Sequence, residues 1–362
     1  MKTLVFTVTN NLAYDQRMIR ICNSLSNAGY NVVLIGTKTG SPAPLTPKKF
    51  RQIRLNMWFK KGPLFYIEYN IRLFLFLLFF KADLICCIDL DTILPVYLVS
   101  FLKREKRVYD AHEYFSQQKE IVTRPKIYKI WHWIERKFVP QFLNGYTVGH
   151  KIAAEFKTLY NVNYEVIRNI PLLKPISAPA KKNKHILYQG AVNEARGLEY
   201  LIPAMNQIHA NLFIYGDGNF MNQSKALIIE NNLADKVFLK DKLLPEELVT
   251  ITAEGFIGVN LVENIGLNQY YSLANKFFDY IHFQVPQVTM NFPEYKLIND
   301  EFNVALLLDN LEPQHIAEHI NKLLNDELLY TTLSNNCLNA RNFLNWQQEE
   351  IKLLSFYKKM FA

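Results

Sequence analysis

The sequence predicts an α/β protein made of two Rossmann-like, doubly wound halves, each a parallel sheet layered with helices. Three observations carry this. Short β-rich apolar runs alternate with segments of helical period along most of the chain. The alternation pauses at a stretch containing three prolines, residues 171–182, and then restarts. At 362 residues the chain is long enough for two cores rather than one. A hydrophobic content of 49% with 20% charged residues is that of a globular protein and excludes wholesale disorder.

Taken in order, residues 3–9 (TLVFTVT) are a first strand ending at Asn10 and Asn11. Met18, Ile21, Cys22 and Leu25 then recur at helical spacing behind Asp15, and Gly29 closes that helix. Residues 31–35 return as strand. A strand, helix and strand in so short a span form a βαβ unit, whose right-handed crossover requires a parallel sheet. The intervening turn lacks glycine, which argues against a dinucleotide fingerprint. Residues 64–80 are apolar but interrupted by Glu68, Asn70 and Arg72; they fall short of a bilayer span and are expected to be a core helix. Strand 82–88 leads to Asp89 and Asp91 and an apolar helix over 92–102. Strand 107–113 carries His112 and Glu113 at its carboxyl end, the edge where open parallel sheets bind ligands. Residues 115–126 are expected to be a polar, mobile loop. Residues 128–138 are aromatic on one side and basic on the other, as core helices and interfacial membrane helices both are.

After the stretch 171–182, strands are expected at 185–188, 211–215, 236–239 and 255–261, and helices at 198–206, 223–231 and 245–253. Residues 346–357 are an amphipathic closing helix. The expected organisation is a first domain 1–170, a linker 171–182, a second domain 183–345, and a helix 346–362 crossing back to the first.

Charge divides unevenly. Residues 1–168 hold 25 Lys/Arg against 12 Asp/Glu, whereas the whole chain holds 41 against 33. The first half is therefore expected to face something anionic, a membrane or a phosphorylated substrate, or to carry a merely solvated basic surface. Nucleic acid is disfavoured, because no reader motif accompanies the basic residues. Cys22, Cys86, Cys87 and Cys337 form no metal-spaced cluster and read as buried thiols of a reducing compartment. The N-terminal MKTLVFTVTNN lacks the pattern of a secretory leader, so a cytoplasmic location is expected.

The stretch 271–280 (YSLANKFFDY) reads as a turn opening a helix, whose N-terminus could receive a phosphate beside Lys276, with Asp279 a turn on to accept from ribose hydroxyls. An ordinary helix packing Phe277, Phe278 and Ile281 has the same pattern. Arg196 beside Gly197, after the turn at Gly190, could hold a diphosphate; Gly216 and Gly218 permit close approach at another strand end.

In order, these motifs resemble a GT-B glycosyltransferase of family 4, the group 1 transferases. The matching residues are Asp15 and Arg17, Tyr109-Asp110-Ala111-His112-Glu113, residues 166–171 (VIRNIP), Gly190 with Arg196-Gly197, Gly216 with Gly218, and residues 273–280 (LANKFFDY). The resemblance implies two Rossmann-like domains facing across a cleft and a retaining transfer from a UDP- or GDP-linked sugar, with no cofactor and no metal. It assigns Arg196 and Lys276 to the diphosphate, and Leu273, Ala274 and Asn275 to a backbone cradle. Asp279 falls to the ribose, with Gly190, Gly197, Gly216 and Gly218 around the donor. His112 contacts the transferred sugar or its acceptor. Asn10, Asn11, Asp15, Arg17 and Glu113 join it in an acceptor site for a glycan or lipid-linked partner, in cell-envelope or polysaccharide synthesis at the inner face of a membrane. Two positions depart from the pattern. Ala191 stands where an arginine is common, leaving Lys240 or Lys242 as substitutes. Tyr271 stands where an acid is common, leaving Glu263, Asn264 or Asn268 for sugar hydroxyls. An epimerase or hydrolase on the same scaffold, or a non-catalytic assembly subunit, are the alternatives.

Overall fold

A computed structural model describes residues 1–13, 15–40, 44–175 and 183–362. It divides into two compact units: Met1–Asn169 with Glu349–Ala362, and Ile170–Gln348.

Unit 1 is built on strands β1 (Thr3–Thr7), β2 (Asn31–Lys38), β3 (Arg51–Asn56), β4 (Leu84–Ile88), β5 (Lys106–Ala111), β6 (Gly145–Thr147) and β7 (Glu165–Val166). They hydrogen-bond in the order β3-β2-β1-β4-β5-β6-β7, and every pairing is parallel. Its helices are α1 (Gln16–Asn27), α2 (Pro63–Phe79), α3 (Ile93–Lys103), α4 (Lys119–Val122), α5 (Pro125–Phe138) and α6 (His150–Tyr160). The order reverses direction between β1 and β4, so right-handed crossovers put α1 on one face and α2, α3, α5 and α6 on the other.

Strands β1 and β4 lie in mid-sheet with both faces covered, which is why they read as unbroken apolar runs; Leu4, Val5, Phe6, Leu84, Ile85, Cys86 and Cys87 are all fully buried. The edge strand β3 (RQIRLN) is charged and only half-buried, and its sequence gave no strand signal. Helix α2 departs from the core-helix expectation. Only Tyr69, Leu73 and Leu77 are buried, while the opposite stripe lies in water. Residues 115–126 are likewise more ordered than expected: a short turn of helix at Phe115–Gln117 and α4 anchor the segment through buried Phe115 and Ile121.

Unit 2 holds β8 (His185–Gln189), β9 (Asn211–Tyr215), β10 (Val237–Lys240), β11 (Ile257–Asn260), β12 (Gln287–Met290) and β13 (Ala305–Leu308), in the parallel order β10-β9-β8-β11-β12-β13. Its helices are α7 (Leu198–Ala204), α8 (Met221–Glu230), α9 (Pro245–Glu254), α10 (Leu267–Tyr270), α11 (Asn275–His282), α12 (Pro293–Phe302), α13 (Pro313–Asn325) and α14 (Glu327–Ala340). A continuous core joins Tyr188, Val259, Phe277, Phe278, Val288 and Ile320. Of the expected linker, residues 171–175 carry no regular structure and 176–182 lie outside the described residues.

The last helix, α15 (Trp346–Phe361), contributes its residues from Glu349 onward to unit 1. Tyr357 is fully buried there, 5.9 Å from the Phe6 ring, with its hydroxyl 3.2 Å from that of Tyr146. All four cysteines are buried free thiols.

Candidate functional site

Each unit gathers its chemistry at the carboxyl edge of its own sheet, and the two gatherings differ in sign.

In unit 2, β8 ends at Gln189 and the chain turns at Gly190, whose φ of +125° favours glycine. The turn is tied to the one after β9: Gly190 N–H donates to Tyr215 O (3.0 Å), Val192 N–H to Asp217 O (3.0 Å) and Asn219 N–H to Asn193 Oδ1 (3.0 Å). That contact accounts for the second pair of glycines. A Cβ on Gly216 would lie 1.9 Å from Gly190 O, and one on Gly218 would lie 2.2 Å from Val192 O. A Cβ on Gly197 would lie 2.4 Å from Leu261 Cβ. Gly197, Gly216 and Gly218 therefore let chain pack on chain at the edge where their positions suggested a ligand. Gly190 differs, because the nearest atoms to its absent side chain are Cε and Nζ of Lys276, at 3.4 and 3.6 Å.

Lys276 rises from the first turn of α11, with its Nζ 3.7 Å from the centroid of the Tyr188 ring. Burial first, and then the neighbouring Arg196 cation, hold its pKa well below the usual lysine range, while Asp279 opposes them. Two cations thus share one partly enclosed place at the Gly190 turn, an arrangement an anion would relieve. The backbone around Arg196 is left-handed on both sides, at Ala195 (φ 63°) and Gly197 (φ 77°), and Ala195 N–H is fixed by Glu199 Oε1 at 2.8 Å.

Asp279, one turn beyond Lys276, accepts from Gln189 Nε2 (3.1 Å), and Gln189 Oε1 in turn accepts from Thr252 Oγ1 (2.7 Å). No side chain caps the start of α11. Within the expected cradle Leu273–Asn275, however, Ala274 N–H already donates to Tyr295 Oη (3.0 Å). Tyr295 was not foreseeable, being distant in sequence and carrying no motif. Lys240 lies over the Phe238 ring and Glu263 bonds Tyr200, so each has a local role.

In unit 1, β5 delivers Asp110 and then His112. A cavity of about 320 Å³ opens there, lined by Asn10, Tyr66, Asp89, Asp91, His112 and Glu113 among others. His112 Nε2 is 3.1 Å from Asp110 Oδ2, and its backbone N–H donates to Asp89 Oδ1 (2.8 Å). Asp110 is completely buried and pairs through Oδ1 with Arg17 Nη2 at 2.9 Å; Arg17 Nη1 donates to Ile167 O at 3.0 Å. Although Asp110 loses solvation, the Arg17 and His112 partners hold its pKa below the usual carboxylate value. Asp89 and Asp91 go the other way. Burial, reinforced by Glu113, raises Asp89 well above its ordinary range and pushes Asp91 up to about 7, against the 2.6 Å bond from Thr9 Oγ1. Asp89 also has a left-handed backbone, φ 55°.

Of the expected acceptor-site residues, Asn10, His112 and Glu113 line this cavity. Arg17, Asp15 and Asn11 do not. Arg17 is only 4% exposed and committed to Asp110, Asp15 caps α1 by accepting from Met18 N–H (3.0 Å), and Asn11 accepts from Ala13 N–H and Arg54. They build the site's framework. Asp89 and Asp91 were passed over; two aspartates just past an apolar strand's carboxyl end were the signal for them.

Two parallel doubly wound sheets define the fold class as GT-B, and solved structures of that class match nearly all or all of the chain. Sucrose-phosphate synthase from Thermosynechococcus elongatus superposes with a TM-score of 0.85 at 15% identity, covering 100% of both chains. HepE from Anabaena, in complex with UDP and glucose, gives 0.78 at 12% identity over 99% of this chain and 100% of that one. WaaG, a glycosyltransferase involved in lipopolysaccharide biosynthesis, gives 0.74 at 14% identity, covering 96% and 98%. No curated protein matches by sequence. Residues 169–339 match the family model described as "Glycosyl transferases group 1", and Gly190, Arg196 and Lys276 lie inside the matched stretch.

Proposed function

We propose that this chain is a retaining glycosyltransferase that takes a sugar from a UDP- or GDP-linked donor, seated in unit 2, and adds it to a glycan or lipid-linked acceptor received in unit 1. The observation that carries it is the pair Arg196 and Lys276 at the Gly190 turn, inside the matched domain. A buried lysine of lowered basicity beside a second cation gains most from a diphosphate leaving group, whose charge grows as the glycosidic bond breaks. The same pair fills the part a divalent cation would otherwise play, and the proposal needs none. Asp279, steadied by Gln189, is suited to ribose hydroxyls. His112, held through Asp110 by Arg17, is assigned to the transferred sugar or acceptor. That HepE was solved with UDP and glucose supports the nucleotide class of the donor. Retention, metal independence and a place at the inner face of an anionic membrane follow the family resemblance and the basic first half.

The test is a thermal-shift series with nucleoside diphosphates and UDP- or GDP-sugars, followed by acceptor-dependent release of nucleotide. The wild-type chain is expected to be stabilised by UDP or GDP. Lys276→Ala should lose that response and about 100- to 1,000-fold in transfer. No response to any diphosphate overturns the donor assignment. Turnover without an acceptor would instead favour the epimerase or hydrolase reading, and unchanged biological function in Lys276→Ala the assembly-subunit reading.

A further inference from the structure

Helix α2 poses a problem that the catalytic proposal leaves untouched. Its buried stripe is Tyr69, Leu73 and Leu77, yet Leu64, Ile67, Ile71, Leu75 and Phe79 repeat along the opposite side at exposures of 50–85%. The next helix over, α3, continues the patch with Leu98, Phe101 and Leu102, exposed by 46–65%. The two helices run side by side with their carboxyl ends together, since Lys103 Nζ on α3 donates to Leu77 O on α2 at 3.2 Å. Helix α5 adjoins α3 through Tyr97 and Phe138 (5.2 Å between rings) and adds exposed Ile130 and Trp133. A contiguous apolar surface on this scale is unusual on a water-facing monomer.

The charge around it is of one sign. Residues 57–81, 98–107 and 124–138 contain 13 Lys/Arg and three Asp/Glu. Those three acids are spent internally. Glu68 accepts from Trp58 N–H, Phe59 N–H and Arg72, Glu105 pairs with Lys103 at 2.8 Å, and Glu135 is buried. Exposed Lys60 and Lys61 precede α2, Lys81 follows it, and Arg104 follows α3. A second copy of the chain would oppose like charge to like charge. An anionic bilayer fits both halves of the pattern: apolar side chains enter the acyl boundary while lysine and arginine heads stay at the phosphates. Among the described residues no helix is long and apolar enough to cross a membrane, so the contact lies in the interface plane.

We propose that the outer face of α2 and α3, extended by α5, is the docking surface of unit 1 on an anionic lipid membrane. It deepens the membrane clause of the proposed function, but depends on no feature of the donor site. Tyr66 of the same α2 lines the cavity that holds His112, and its ring packs on Trp131 of α5 at 5.6 Å, so docking sets that cavity close to the lipid surface. An acceptor with a lipid tail would be presented there.

The test uses the full chain with vesicles of phosphatidylcholine alone or mixed with phosphatidylglycerol, followed by sedimentation at low and high salt. Binding to the anionic vesicles is expected, weakened but not erased by salt. The double substitution Ile71→Ser with Phe79→Ser should weaken partition about tenfold or more, since both side chains are already in water and their loss spares the fold. Lys81→Glu with Arg104→Glu should weaken it mainly at low salt. The thermal response to UDP or GDP, from the other unit, should be unchanged in all variants; its absence in the wild type would break the donor assignment and leave this one standing. No binding to anionic vesicles, or equal binding by the double serine variant, overturns the proposal. So does a self-associated form, dissolved by the same substitutions, in a protein that ignores vesicles.

Discussion

The two units solve the same topological problem with opposite electrostatics. At the sheet edge of unit 2, Lys276 is buried beside the Arg196 cation, and burial and that cation both lower the basicity of the lysine. At the sheet edge of unit 1, Asp89, Asp91 and Glu113 share a cavity, where burial and then the Glu113 charge raise the pKa of both aspartates, while Asp110 is kept ionised by a buried arginine and His112. The net charge of the chain runs the other way, because the first half is the basic one. Site charge is therefore a matter of which side chains the strand ends deliver. Bulk charge is a matter of what the helices show to the outside, and in unit 1 that is α2, α3 and α5.

The strongest way to break this contrast is to remove the buried pair beneath His112. Asp110→Asn leaves the Arg17 guanidinium buried without its counter-charge. It should cost about 3–5 kcal/mol, seen as a lower denaturant midpoint, together with loss of transfer as His112 loses its support. If stability is unchanged, the pair is not what orders the cavity. Next in size is Gly216→Ala. With a Cβ 1.9 Å from Gly190 O, the two tied turns must part, and about 1–3 kcal/mol of stability and the diphosphate response should go together. A variant with an undiminished UDP or GDP response would show that Gly190 is placed by something other than this contact.

A pH-dependent effect sharpens the contrast further. Asp91 titrates near 7 when folded and near 4 when unfolded, so the folded state binds the extra proton in that window. Its stabilising contribution is complete below about pH 4 and is lost as pH rises through 7. Asp91→Asn, which keeps an acceptor for Thr9, should raise Tm by a few degrees at mildly alkaline pH and leave it unchanged in acid. An equal Tm difference at both pH values would show that burial of the charge is not what Asp91 contributes.

Much of this was legible in the sequence, because buried parallel strands and the helices between them leave period and punctuation behind. The sequence order and the family resemblance pointed to Gly190, Arg196, Lys276 and Asp279, which the fold gathers at one sheet edge, and a strand end pointed to His112, which lines the cavity of unit 1. What failed to show follows a physical pattern. An edge strand needs no apolar face, so β3 was silent. A helix that is apolar all round says nothing of which side is covered, so α2 passed for core. Glycines that admit another loop look the same in sequence as those that admit a ligand, so the contacts of Gly216 with Gly190 and of Gly218 with Val192 could not be read there. Partners distant in the chain, such as Tyr295 at Ala274 or Asp110 at Arg17, leave no local trace.

The path of α15 has a consequence for synthesis. Tyr357 fills the core of unit 1 against Phe6 and Tyr146, and it is made after all of unit 2. Domains usually complete their folding in the order in which the ribosome releases them. Here the unit that begins first is finished last. It must wait as an unsealed sheet, with Phe6 and Tyr146 short of their partner, while the whole of unit 2 emerges and closes.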